Sequence, residues 1–190
     1  MRTDSRWTAS KVSVWVPRQN GKGGIIEALE LAWLFLLGEE EIVHSAHQQR
    51  TSDQAYIRLE RLIRDTPWMH KRVHAYRQAN GKQQIELNSG QILDYVTRSR
   101  SATRGFSAKK IILDEAQELT SEQMAAILPT VSAMFNHQVW FLGTPPDDEA
   151  AWVYGLAIAS TLSPTREGSA RWNAMTAAAE ASQKLTSGFR

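Results

Sequence analysis

Short apolar runs alternate along this chain with longer stretches of helical period, as a parallel sheet covered by helices requires. Val12 to Val16 reads as a strand that Pro17 ends. A helix follows over Ile25 to Leu37, with Ile25, Ile26, Leu29, Trp33, Leu36 and Leu37 on its apolar stripe and Gly38 closing it. Glu41 to Ala46 is a second strand. It leads through His47, Gln48 and Gln49 into a helix from about Arg50 to Arg64, with Ala55, Leu59, Leu62 and Ile63 inward and Thr66-Pro67 as its stop. Arg72 to Tyr76 and Gln83 to Leu87 flank Asn80-Gly81, a hairpin signal, and Ile92 to Val96 is a further strand; the group reads as a β excursion on the sheet edge. A polar, basic loop over 97–107 then feeds into the next strand, which places its arginines near any bound phosphate. That strand, Ile111, Ile112 and Leu113, is buried on both faces. Thr120 or Ser121 can cap a helix to Met134 whose inner face is Met124, Ile127, Leu128, Val131 and Phe135. Gln138 to Leu142 is the last strand, ending at Gly143-Thr144-Pro145-Pro146, and helices are expected over 150–161 and 170–184.

The 190 residues suit a single domain with a core over about 10–148, the remainder beginning a lid or linker. With 42% hydrophobic and 22% charged residues the composition is that of an ordinary globule, and no run approaches the ~18 apolar residues of a membrane span. There is no apolar signal core, and zero cysteines exclude disulfides and thiolate metal sites, which fits a cytoplasmic protein. Net charge is only +2 but is unevenly placed: residues 50–110 carry thirteen Lys/Arg against five Asp/Glu, and residues 111–150 carry seven acids and no Lys or Arg. The basic half suits a polyanion partner, although solvated helix faces give the same composition.

Two stretches carry the candidate chemistry. In the first, Pro17, Arg18, Gln19, Asn20, Gly21, Lys22 and Gly23 join the opening strand to the first helix. Strand, loop, Gly-Lys and helix cradle a phosphate: backbone N–H groups at the helix start point at the anion and the ammonium reaches its outer oxygens. The match to G-x-x-x-x-G-K-[ST] is partial, because Val16 holds the first glycine position and Gly23 the hydroxyl position. In the second, Asp114 and Glu115 follow a buried strand and so sit at the carboxyl edge of the sheet, where ligands bind in open α/β folds. One acid there can hold Mg²⁺ through water and the next can polarise an attacking water. Thr144 at another strand exit either bonds a terminal phosphate or belongs to a simple Gly-Pro turn. His44 and His47 lie three apart without a third ligand near, so no metal site is expected there.

These residues together resemble the ATPase domain of the tailed-phage terminase large subunit, the motor that packages viral DNA. The resemblance rests on Val16 to Lys22 as a deviant phosphate loop, His44-Ser45-Ala46-His47 with Gln54-Ala55, Arg104-Gly105-Phe106-Ser107 leading into Ile112 to Ala116, and Gly143-Thr144-Pro145. It covers about residues 10–148 and implies a P-loop NTPase fold: a RecA- and terminase-like three-layer sandwich on a mostly parallel sheet. It further implies ATP and Mg²⁺ as cofactors, with Lys22 on the β and γ phosphates, Arg18 over the γ-phosphate, Asp114 on Mg²⁺ and Glu115 as base. Arg104 would be a finger toward a neighbouring subunit and Thr144 a γ-phosphate sensor. Implied partners are double-stranded DNA, the portal protein and the terminase small subunit, with a homo-oligomeric ring on the procapsid, a monomer in isolation and a location in the bacterial host cytoplasm. Gly23 departs from the pattern. Residues 1–11 are too short for the adenine-contacting segment, and no room remains for the nuclease domain, so a fragment is expected. Competing readings are a helicase-like nucleic-acid-dependent ATPase and a non-catalytic remnant that binds DNA or a partner.

Overall fold

A computed structural model of the chain describes residues 7–17, 19–79, 82–98, 108–120 and 134–144, together with Gln123, Ile127 and Val131. Seven strands form one sheet: β1 (Lys11–Trp15), β2 (Glu41–Ala46), β3 (Val73–Ala79), β4 (Lys82–Leu87), β5 (Ile92–Thr97), β6 (Lys110–Leu113) and β7 (Gln138–Gly143). Their order is β1-β7-β6-β2-β5-β4-β3. The first five in that order run parallel, while β4 and β3 extend the sheet antiparallel. Helices α1 (Lys22–Leu31), α2 (Gln49–Arg64) and the short α3 (Pro67–His70) complete the long elements. Among the described residues no helix is long and apolar enough to cross a membrane.

Alternation along the strands builds two cores, one on each face of the sheet. Ile42, Ile112 and Leu142 join Ile26 and Trp33 of the first helical segment and Ala55, Tyr56, Leu59 and Ile63 of α2 on one side. Val43, Ile111, Leu113, Val139 and Phe141 meet Ile127 and Val131 on the other. The result is the three-layer α/β arrangement expected from the sequence. Thr120 and Gln123 exchange hydrogen bonds between side chain and backbone, each 3.2 Å, so the expected cap forms as a capping box.

Three details differ from the sequence expectation. Helix α1 continues through wide, π-type turns over Ala32–Leu37 before Gly38 ends it at φ 66. The wider turns shift the helical phase, so Leu34 and Phe35 are buried beside the expected Trp33 while Leu36 and Leu37 face outward; Ile25, in the regular first turn, is also exposed. Leu62 and Phe135, expected inside, are also exposed. Ile92–Thr97 is not part of an excursion: it lies parallel beside β2, and only β3 and β4 form the added edge. The turn at Asn80-Gly81 and the two helices expected after Asp147 lie outside the described residues.

Candidate functional site

The loop after β1 is shaped by its backbone. Val16 donates from its N–H to the Gly143 carbonyl at 3.1 Å, which keeps the chain on the sheet to its end, and Asn20 N–H returns to the Pro17 carbonyl at 3.3 Å. Gln19 and Gly21 both take left-handed conformations, at φ 63 and φ 82. Gly21 is the residue that adopts such a turn most cheaply. It stands at the N-cap of α1, where no side chain caps the helix and no acid occupies the first turn. That leaves the amino end of α1 suited to an anion.

Lys22 opens α1 and turns its side chain across the sheet edge. Its Nζ lies 2.5 Å from Asp114 Oδ1, a contact spanning 92 positions in sequence. Strand β7 separates β1 from β6 in the sheet, so the lysine bridges the exits of two non-adjacent strands. Asp114 Oδ1 also accepts the backbone N–H of Glu115 at 2.8 Å. Burial alone raises the Asp114 pKa, but the facing His44 and Lys22 outweigh it and hold the carboxyl well below the usual carboxylate range.

Beneath this pair lies a set of buried polar groups whose Glu30 and Tyr95 the apolar pattern concealed. His44 of β2 is fully buried; its Nδ1 pairs with Glu30 Oε1 of α1 at 2.7 Å, and its Nε2 faces Asp114 Oδ2 at 3.9 Å, an ionic contact too long for a hydrogen bond. Tyr95 of β5 donates its hydroxyl to Glu30 Oε2 at 2.9 Å and lays its ring against the imidazole, with centroids 5.0 Å apart. Burial pushes the His44 pKa down, yet the charges of Glu30 and Asp114 prevail and lift it to about 9. Burial, reinforced by Glu30, pushes the Tyr95 hydroxyl well above its ordinary value.

Glu115 points elsewhere. It sits in a left-handed conformation, φ 53 and ψ 49, and its carboxylate reaches the amino end of α2. Oε2 accepts the backbone N–H groups of His47 at 3.2 Å and Gln48 at 3.3 Å, and Oε1 accepts the Thr51 hydroxyl at 3.1 Å. The local N-cap residue, Gln48, makes no side-chain cap of its own. Glu115 therefore caps a helix more than sixty residues upstream in sequence.

The basic segment after β5, expected to approach the phosphate loop, has one described arginine, Arg98, and it turns inward instead. Its Nη1 donates to the Ser45 carbonyl at 2.8 Å, and its Nη2 to the Asp114 and Glu115 carbonyls at 2.5 and 3.0 Å. Burial lowers its pKa to about 10 against the pull of Asp114 and Glu115. It ties the exits of β2 and β6 together by their main chains.

Thr144 follows β7 and donates its N–H to Gln117 Oε1 at 3.3 Å. The glycine before it has a packing reason, since a Cβ on Gly143 would stand 2.2 Å from Trp15 Cζ3 on the neighbouring strand. A Cβ on Gly23 would meet Arg58 Nη2 of α2 at 3.1 Å. Arg18, Arg104 and Pro145 lie outside the described residues. The structure thus brings Lys22, Asp114 and Glu115 to one rim, with Thr144 at the exit of the strand between them.

Among the described residues no group of three or more His, Asp or Glu could hold a metal ion. One ionised carboxylate beside a lysine does fit Mg²⁺ carried on a phosphate chain, because that ion keeps most of its ligands as water and phosphate oxygens.

No family profile and no curated protein matches the sequence. Solved structures do match in three dimensions. The HK97 bacteriophage large terminase superposes with a TM-score of 0.66 at 20% identity, covering 81% of this chain and 34% of that one. The Thermus phage P74-26 large terminase ATPase domain gives 0.60 at 18% identity, covering 80% of this chain and 66% of that domain. The large terminase of another thermophilic bacteriophage, in complex with ATP-gamma-S, gives 0.52 at 11% identity, covering 70% and 32%. This chain thus spans about a third of the HK97 protein and about two thirds of the P74-26 domain. Its fold is the α/β three-layer fold of phage large terminase ATPase domains.

Proposed function

We propose that the chain is an ATP-hydrolysing motor domain of a phage terminase large subunit, acting with Mg²⁺ to drive double-stranded DNA into a procapsid. The observation that carries this reading is the 2.5 Å contact between Lys22 and Asp114, which closes a loop-borne cation on a strand-borne acid at the carboxyl edge of a parallel sheet. Lys22 would exchange Asp114 for the outer phosphate oxygens, and the amino end of α1 would hold the phosphate chain together with Gln19, Asn20 and Gly21. Asp114 would hold Mg²⁺ through water. The bound ion would neutralise charge on the triphosphate. Glu115 is the proposed base; its Oε2 accepts two backbone N–H groups of α2, and Oε1, which accepts only the Thr51 hydroxyl, keeps a lone pair for a proton from water. Arg18, Arg104 and Thr144 keep their proposed roles as cis finger, trans finger and sensor. Double-stranded DNA, the portal and the small subunit are the proposed partners, in a ring on the procapsid in the bacterial host cytoplasm.

Phosphate release and fluorescent-nucleotide binding by the purified chain test this reading. Lys22→Ala is expected to abolish binding, and Glu115→Gln to retain binding while losing hydrolysis. Nucleotide binding indifferent to Lys22→Ala would overturn it.

A further inference from the structure

Glu30 occupies a position that the fold does not need to be acidic. It lies on the buried stripe of α1, in line with Ile26 and with Trp33 and Leu34 beyond, and is 1% exposed. Burying an ion pair at such a site is rarely a gain over well-packed apolar residues. Glu30 nonetheless engages both carboxylate oxygens, one on His44 and one on Tyr95, and the imidazole is thereby fixed with its second nitrogen turned to Asp114. That nitrogen is itself buried and makes no hydrogen bond.

Asp114 is held asymmetrically. Oδ1 takes both Lys22 and the Glu115 N–H, whereas Oδ2 faces His44. If Lys22 moves to a phosphate, as the proposed function requires, Oδ1 loses its cation and keeps only the Glu115 N–H, a single bond about which the carboxylate can turn. His44 is on the opposite side of the carboxylate and is anchored from behind, so it does not move with the lysine.

We infer that His44, braced by Glu30 and Tyr95, is a positioning residue that keeps the Asp114 carboxylate aimed when Lys22 leaves it. This inference rests on the nucleotide-site reading for its purpose, but the His44–Asp114 linkage itself can be measured without nucleotide. It differs from a packing role because it requires residues 44 and 114 to be coupled to one another.

The test uses the full chain and two readouts. In urea unfolding, a cycle of wild type, His44→Gln, Asp114→Asn and the double variant should be non-additive by about tenfold in the unfolding constant. In binding of a fluorescent ATP analogue, His44→Gln should leave affinity in EDTA within about twofold while raising the Mg²⁺ needed for half-saturation about tenfold. Tyr95→Phe, which removes only the hydroxyl from Glu30 and keeps the ring, should shift the Mg²⁺ requirement the same way by about threefold; it serves if His44→Gln does not fold. Additivity in the cycle, or an unmoved Mg²⁺ requirement in a folded variant, overturns the inference. If wild type binds no nucleotide with or without Mg²⁺, the function reading falls, and the cycle alone decides the linkage.

Discussion

Removing the Glu115 side chain should weaken the fold, because this acid at the sheet rim caps a helix. Its carboxylate accepts two backbone N–H groups and a hydroxyl at the start of α2, a helix with no side-chain cap of its own and no acid in its first turn. Loss of a cap costs about 1 kcal/mol, and loss of a negative charge at a helix amino end adds roughly 0.3–1 kcal/mol. Glu115→Ala keeps the left-handed backbone while losing both contributions, so a destabilisation of about 2 kcal/mol is expected, near 5 °C in Tm for a chain this long. Glu115→Gly loses the same contacts but relaxes φ 53, a conformation that costs a side-chain-bearing residue about 1 kcal/mol, and should recover about half the loss. Glu115→Gln keeps an acceptor oxygen and should lose least. Urea unfolding gives the ranking, and amide exchange in the first turn of α2 locates it. The reasoning fails if Ala matches wild type or if Gly is less stable than Ala. If Glu115 is the base, freeing Oε1 from the Thr51 hydroxyl leaves it more open to water, so Thr51→Ala should also raise basal phosphate release severalfold; a decrease would place the cap in the working state.

Three further outcomes follow from the same contacts. His44 is faced by Glu30 from α1, Asp114 from the end of β6 and Tyr95 from β5, with Lys22 beyond the aspartate. Its folded pKa, about 9 against 6.5, means that its stabilisation is complete below about pH 6.5 and lost as pH rises through about 9, for roughly 3 kcal/mol in all. Urea midpoints across that window should fall for wild type and stay nearly level for Glu30→Gln; parallel curves would contradict the pairing. Gly143→Ala should cost about 1–3 kcal/mol through the clash with Trp15 and be partly rescued by Trp15→Phe, as thermal unfolding would report. Gly23→Ser places a hydroxyl beside Arg58, a flexible side chain able to yield, and should tighten Mg²⁺-nucleotide binding about threefold by calorimetry; no change would mean that the residue-23 side chain points away from the metal.

What is legible in the sequence, and what is not, divides along a physical line. Strands buried on both faces announce themselves as apolar runs, so β2 appears with its observed bounds and the acids after β6 fall at the expected strand exit. The Lys22–Asp114 closure follows from strand-loop-helix geometry plus an acid-tipped strand, both local signals. Period arguments fail where the helix changes its own pitch. A strict 3.6-residue stripe puts Trp33, Leu36 and Leu37 inside; Trp33 is there, but the wide turns over Ala32–Leu37 bring in Leu34 and Phe35 in place of Leu36 and Leu37. The parallel placement of Ile92–Thr97 is hidden because pairing partners are set by tertiary contacts rather than by the strand's own composition.

The same failure explains why the polar network is hard to see in the sequence, and it points to a better signal. Glu30 interrupts an apolar stripe between Ile26 and Trp33, and one acid in a helix usually marks the solvent side. Yet Ile26 and Leu34 lie on the same buried face as Glu30, so the stripe itself predicts a buried carboxylate at position 30. A buried carboxylate requires a partner, and the polar residue inside the next strand, His44, is the available one. An acid in phase with the core of one element, followed by a basic residue in the middle of a doubly buried strand, is thus a readable pair. Here that pair lies directly behind Asp114, which is why the proposed role of His44 is to aim that carboxylate.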